Sequence, residues 1–141
     1  MKTISIKKVT AMAMMLMVLG WVTMSFVNKA NDAKPWKVPE ASKKMKNPVK
    51  TNAESVAEGK TLYAKHCKSC HGSKGLGDGP KSKELDTECG DFSSAGFQGQ
   101  TDGDLFYKTK EGRDDMPSFK KKITDDEDIW NIVNYIRTLK K

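Results

Sequence analysis

Cysteine and histidine are scarce in this chain, with three and two residues respectively among 141. So few cannot build the disulfide framework that staples many small secreted domains. A second C-x-x-C pair is also missing, which removes the usual four-ligand structural zinc site. Sustained apolar/polar alternation is absent throughout, so no strand is expected and the fold class reads as all-α. With 37% hydrophobic residues at this length, one small domain plus appendages can form, and a large multidomain enzyme is excluded.

Net charge is nearly absent from the part expected to fold. The formal charge is +7, but residues 1–50 carry +8 and residues 51–141 carry −1. A nucleic-acid footprint needs Lys and Arg clustered on a folded face, so no nucleic-acid partner is expected. Lys2, Lys7 and Lys8 precede the uncharged apolar run Val9–Val27, the pattern of an export segment. Its nineteen residues are just enough for a helix to span a hydrocarbon core. Residues 1–27 are therefore read as a signal peptide or N-terminal membrane anchor, with the rest of the chain outside the membrane. Asn28-x-Ala30 is a poor cleavage signal, and both outcomes stay open. Residues 28–50 hold three of the five prolines and seven lysines with few apolar groups, the composition of a linker. Docking of Trp36, Val38, Met45 and Val49 onto the following domain is the alternative to a free spacer.

The expected domain is residues 51–141. Thr51-x-x-Glu54 and Ser55-x-x-Glu58 both fit capping boxes, and Val56, Gly59 and Tyr63 share one face of a helix running to about Ala64. From Gly72 to Gly99 most of the chain's glycines occur without helical or strand period, which predicts a long loop wrapped around a bound object. A helix over Asp102–Glu111 follows from Thr101 as cap, buried Leu105 and Phe106, and Gly112 as stop. The last helix has Thr124-x-x-Glu127 at its start and Ile129, Ile132, Val133, Ile136 and Leu139 at helical spacing.

Cys67-Lys68-Ser69-Cys70-His71 follows the first helix and has the spacing of c-type haem attachment. Two thiols three apart can each form a thioether to a vinyl group on one porphyrin edge, and the next residue brings an imidazole beneath the ring. Zinc lacks enough ligands, a thioredoxin-like pair lacks its βαβ context, and a Cys67–Cys70 disulfide would leave His71 unexplained. An exported chain also has little use for free thiols unless they are covalently engaged. A flat apolar ring would give the glycine-rich loop its packing surface. For the opposite axial position, six of the eight methionines lie in residues 1–27 and Met45 is in the linker, leaving Met116 ahead of Pro117. His66, beside Cys67, cannot reach the far face. The plainer role for Met116 is a core gap-filler. His/Met ligation leaves no open coordination site and suits electron transfer.

Residues 54–141 resemble the class I monohaem cytochromes c, small periplasmic members included. Gly59 and Tyr63 stand eight and four residues before the first haem cysteine, Ile132 and Tyr135 match the crossing positions of the last helix, and Gly75-Leu-Gly-Asp-Gly-Pro80 is similar to the family's loop after the motif. The resemblance implies crossing N- and C-terminal helices, one covalent haem c per chain, and a Pro80 carbonyl that orients His71. Cys89 has no place in haem attachment and is read as a buried thiol, with an intermolecular disulfide as the alternative.

The expected protein is a periplasmic, monomeric electron carrier, soluble or tethered by residues 9–27, and not an enzyme. Cys67 and Cys70 fix the ring, and His71 and Met116 bind its iron. By resemblance, a quinol-oxidising complex is the donor and a terminal oxidase or nitrogen-oxide reductase the acceptor. A fixed relay subunit of a larger membrane complex is one alternative. A haem enzyme or gas sensor with a displaceable Met116 is the other.

Overall fold

In a computed structural model, residues 35–141 are described and form one unit starting at Pro35. The expected leader, residues 1–27, lies outside the described residues. Among those described, no helix is long and apolar enough to cross a membrane.

The elements are α1 (Glu40–Lys43), α2 (Ala53–His66), α3 (Lys68–His71), a 3-10 turn (Ser82–Glu84), α4 (Ala95–Gln98), α5 (Asp102–Glu111) and α6 (Asp126–Arg137). Among the described residues the only pairing of β type is an isolated bridge between Arg113 and Met116, so this part is all-α, as the lack of alternation predicts.

Helices α2 and α6 cross at Gly59. A Cβ there would run into the Asn131 carbonyl, so only glycine lets the two backbones meet. Ile129, Ile132 and Val133 are fully buried around the crossing, and Tyr63 tilts against Tyr135 at 5.1 Å between ring centroids. Each such side chain contributes roughly 1.5–3 kcal/mol by leaving water. Trp130 stacks on Phe106 at 4.1 Å and thereby joins α5 to the same core.

The caps follow local chemistry with two shifts from expectation. Asn52 caps α2 by accepting from the Ser55 amide at 2.8 Å, while Ser55 Oγ accepts from the Asn52 amide. Thr51 is spent elsewhere, donating to Asn134 Oδ1 at 2.9 Å. Asp125 caps α6, accepting from the Glu127 amide. Thr101 and Asp104 cap α5 reciprocally as expected, and Gly112 ends it with φ +68°.

Residues 35–50, expected as a linker, pack on the domain as a strap. Val38 is buried, and the Ser42 carbonyl lies where a Cβ on Gly103 of α5 would sit. Asn47 donates to Asn134 Oδ1 at 2.8 Å, and Asn134 returns a bond to the Val49 carbonyl. The strap supplies few apolar groups, so polar pairing with α6 and close backbone approach to α5 hold it.

Candidate functional site

Cys67 ends α2, and the single turn α3 continues from it. The Cys70 and His71 amides both donate to the Cys67 carbonyl, at 3.2 and 3.0 Å. This turn places positions i, i+3 and i+4 on one side, so Cys67, Cys70 and His71 come together. All three cysteines of the chain are free thiols. Cys67 is buried, which pushes its thiol up to about 12, with the neighbouring Cys70 adding to the effect.

The glycine-rich loop closes over the end of α3. Gly77, Gly79 and Lys81 amides donate to the carbonyls of His71, Cys70 and Ser69 at 3.0, 3.1 and 2.9 Å. A Cβ on Gly79 would crowd the Ser69 and Cys70 backbone, which accounts for glycine at that position. Tyr63 Oη donates to the Gly72 carbonyl at 2.7 Å and ties α2 to the residue after His71. Burial pushes that hydroxyl well above the usual tyrosine range.

His71 Nδ1 lies 2.9 Å from the Cys89 carbonyl, and its ring packs on Phe92 at 4.4 Å. A carbonyl can only accept, so Nδ1 carries the proton and the Nε2 lone pair is left for a metal. Burial lowers the imidazole pKa, against an upward pull from the Cys89 bond, favouring the neutral form that ligates. The implied Pro80 role is corrected here: the carbonyl on His71 is that of Cys89. The amides flanking Pro80, Gly79 and Lys81, are drawn onto α3 carbonyls, and this fixes the course of the loop at Pro80. A backbone acceptor carries no side-chain signature, so Cys89 could not be found from sequence. Its thiol, expected to be buried, is part-exposed and unpaired.

Met116 sits between α5 and α6 in a tight turn. Its amide donates to the Arg113 carbonyl at 2.9 Å and its carbonyl accepts from the Arg113 amide at 2.8 Å. Both backbone groups are thus fixed while the thioether is free to face its surroundings. The side chain is half-buried against the apolar cluster that contains Cys67, Phe92 and Phe106, and it is not hydrogen-bonded to the cysteine–histidine turn.

These residues fit a covalent haem. Two adjacent free thiols, an imidazole of fixed tautomer and an apolar lining with one thioether are the donor set such a group uses. Among the described residues no group of three or more His, Cys, Asp or Glu converges as a metal-ion cluster would.

A family model described as cytochrome c oxidase, cbb3-type, subunit III, matches residues 54–136. The chain belongs to this family of c-type cytochromes. Solved structures resemble it too, two of them as follows. One is the Kuenenia stuttgartiensis reducing HAO-like protein complex Kustc0457/Kustc0458, with a TM-score of 0.61 and 26% identity over 75% of this chain. The match spans 53% of that chain, so this protein corresponds to about half of it. The other is the KustC0563 c-type cytochrome, at TM-score 0.52 and 32% identity, covering 59% of this chain and 98% of that one. No curated protein matches the sequence significantly. A domain of this family implies covalently held haem c, the group through which c-type cytochromes transfer electrons.

Proposed function

We propose that this cytochrome is an exported electron carrier holding one haem c, bound through Cys67 and Cys70 and ligated by His71 and Met116, and that it catalyses no substrate reaction itself. The observation that carries this reading is the His71 ring, fixed through Nδ1 to Cys89 so that Nε2 is available. When bound, the haem supplies a one-electron iron couple. The two thiols, spaced by one helical turn, fix its edge. The Arg113–Met116 turn presents the thioether from a different element, and Phe92, Phe106 and Phe119 keep water out of the cluster. A filled sixth position disfavours small-molecule chemistry and suits transfer through transient interfaces. A quinol-oxidising complex as donor and a terminal oxidase or nitrogen-oxide reductase as acceptor suit an exported carrier.

Intact mass and a visible spectrum of protein from cells with haem-attachment machinery test the reading. One covalent haem and a far-red Met-to-ferric-iron band are expected, and Cys67→Ala with Cys70→Ala abolishes covalent attachment. Colourless protein, or haem released by acid acetone, overturns it. Avid carbon monoxide binding by the reduced protein without the far-red band favours a haem enzyme or gas sensor instead.

A second reading, a fixed relay subunit, is favoured by the match to an oxidase-subunit family and by the likeness to a component of a redox complex. Retention with membrane partners after salt washing supports it, and free diffusion argues against it.

A further inference from the structure

The strap reaches the loop that carries Met116. Trp36, half-buried near the start of the strap, has its ring centroid 4.7 Å from Arg113 Cζ and 5.6 Å from Lys108 Nζ. Both distances fall within the range of cation–π attraction. Arg113 is the residue whose backbone exchanges two hydrogen bonds with Met116. We propose that Trp36 is a positioning residue for Met116: its ring holds the Arg113 guanidinium, and Arg113 in turn closes the turn that presents the thioether. The proposal rests on the reading of Met116 as an axial ligand.

Three observations bear on it. Two cations share one ring; burial is the main cause of the lowered Lys108 pKa, and repulsion from Arg113 adds to it. Removing the ring takes away the surface that both cations face; Lys108 keeps Gln100 Oε1 and Arg113 keeps Asp114, so what is lost at the turn is the guanidinium's contact outside its own loop. The turn has a fixed base on its α5 side, where the Lys110 carbonyl accepts from Ser118 Oγ at 2.8 Å and from the Phe119 amide at 3.2 Å. Its N-terminal arm starts at Gly112, where the positive φ favours glycine and no helix continues. Arg113 is therefore the arm's side-chain anchor, ion-paired within the loop to Asp114 at 3.0 Å and reaching out of it to Trp36. Buried Val38, two residues on, fixes the strap beside Trp36 and gives its ring a rigid support.

The test compares holoprotein with Trp36→Ala, Trp36→Phe and Asn47→Ala. Imidazole titration of the ferric form reads how readily the thioether is displaced, and amide exchange reads the turn at residues 113–116. Trp36→Ala is expected to bind imidazole about fivefold more tightly, to weaken the far-red band and to exchange faster at the turn. Trp36→Phe keeps an aromatic face and should stay within about twofold of wild type. Asn47→Ala loosens the other end of the strap and should lower the unfolding midpoint without changing imidazole affinity. Unchanged imidazole affinity in Trp36→Ala, with the wild-type band present, overturns the positioning role alone. Equal shifts in Trp36→Ala and Asn47→Ala also overturn it, because the strap would then act only through global stability. A wild-type protein without the far-red band removes Met116 as ligand and this proposal with it.

Discussion

The α2–α6 crossing and the glycine-rich loop that follows α3 are held together by different means. At the crossing, fully buried Ile129, Ile132, Val133 and Tyr63 fill the space between two capped helices. Across residues 72–92 the buried apolar side chain is Phe92, and the segment is fixed by backbone bonds such as Phe92 N to the Gly75 carbonyl at 2.7 Å. The crossing completes its own packing, whereas the loop holds a course suited to a surface it does not supply. A small cytochrome can therefore keep a stiff frame while the face around its cysteine–histidine turn is shaped by backbone geometry.

Breaking the frame should produce the largest loss. Gly59→Ala puts a methyl group where the Asn131 carbonyl lies, and neither backbone can retreat without separating the helices. A cost of about 3 kcal/mol is expected, as for overpacked cores. Denaturant unfolding followed by helical circular dichroism measures it. A change under 1 kcal/mol would show that the crossing is softer than its packing implies.

The next effect separates the two regions. Arg137 at the end of α6 donates to Asp102 Oδ1 at 2.8 Å and to the carbonyls of Gln98 and Gln100 at 2.9 and 2.6 Å. It ties α4 and the start of α5 to the frame from one part-buried guanidinium. Arg137→Ala leaves those acceptors without their charged donor and should cost about 2 kcal/mol. Amide exchange should rise at residues 95–101 while the α2 amides stay protected. Uniform exchange across both regions would mean that they unfold as one.

Tyr63 connects the regions directly, and its loss should be milder. In Tyr63→Phe the ring keeps its place against Tyr135, but the buried Gly72 carbonyl loses its donor, at a cost of about 1 kcal/mol. Hydrogen exchange at Gly72 and its neighbours should quicken while the midpoint shifts little. A midpoint shift as large as that of Gly59→Ala would contradict the division drawn above.

Legibility in the sequence follows the same line. Gly59, Tyr63, Ile132 and Tyr135 are visible because side-chain size and helical period encode a crossing. Cys67, Cys70 and His71 are visible because their spacing is one helical turn. The α5 cap is legible at Thr101 and Asp104, yet at α2 the neighbouring Thr51 is diverted to Asn134, a tertiary demand that no local pattern records. Cys89 supplies a carbonyl to His71, and every residue has a carbonyl. The strap was legible only as the alternative: Val38 and Trp36 do dock as that alternative has it, while Met45 is exposed, and the polar and backbone attachments at Asn47 and Ser42 reach residues far away in sequence that its spacer-like composition does not record.

The smallest effect probes a turn where the loop meets Phe92. Asp91 Oδ1 accepts from Ser93 Oγ at 2.6 Å and from the Ser93 amide at 2.8 Å, and these bonds hold its carboxyl below the ordinary 3.8. A carboxyl depressed on folding contributes stability that is present above its unfolded value and is lost as pH falls through the folded one. Asp91→Asn keeps an acceptor without the charge. The stability difference between wild type and this variant should thus be constant from neutral pH down to about 5 and shrink below about 4. Denaturant midpoints of both proteins across that range measure it. Because the carboxylate is exposed, water competes for it and the change should be small. A difference that grows as pH falls would mean the Ser93 bonds do not favour the charged form, and the turn before Phe92 would then be held by its backbone alone.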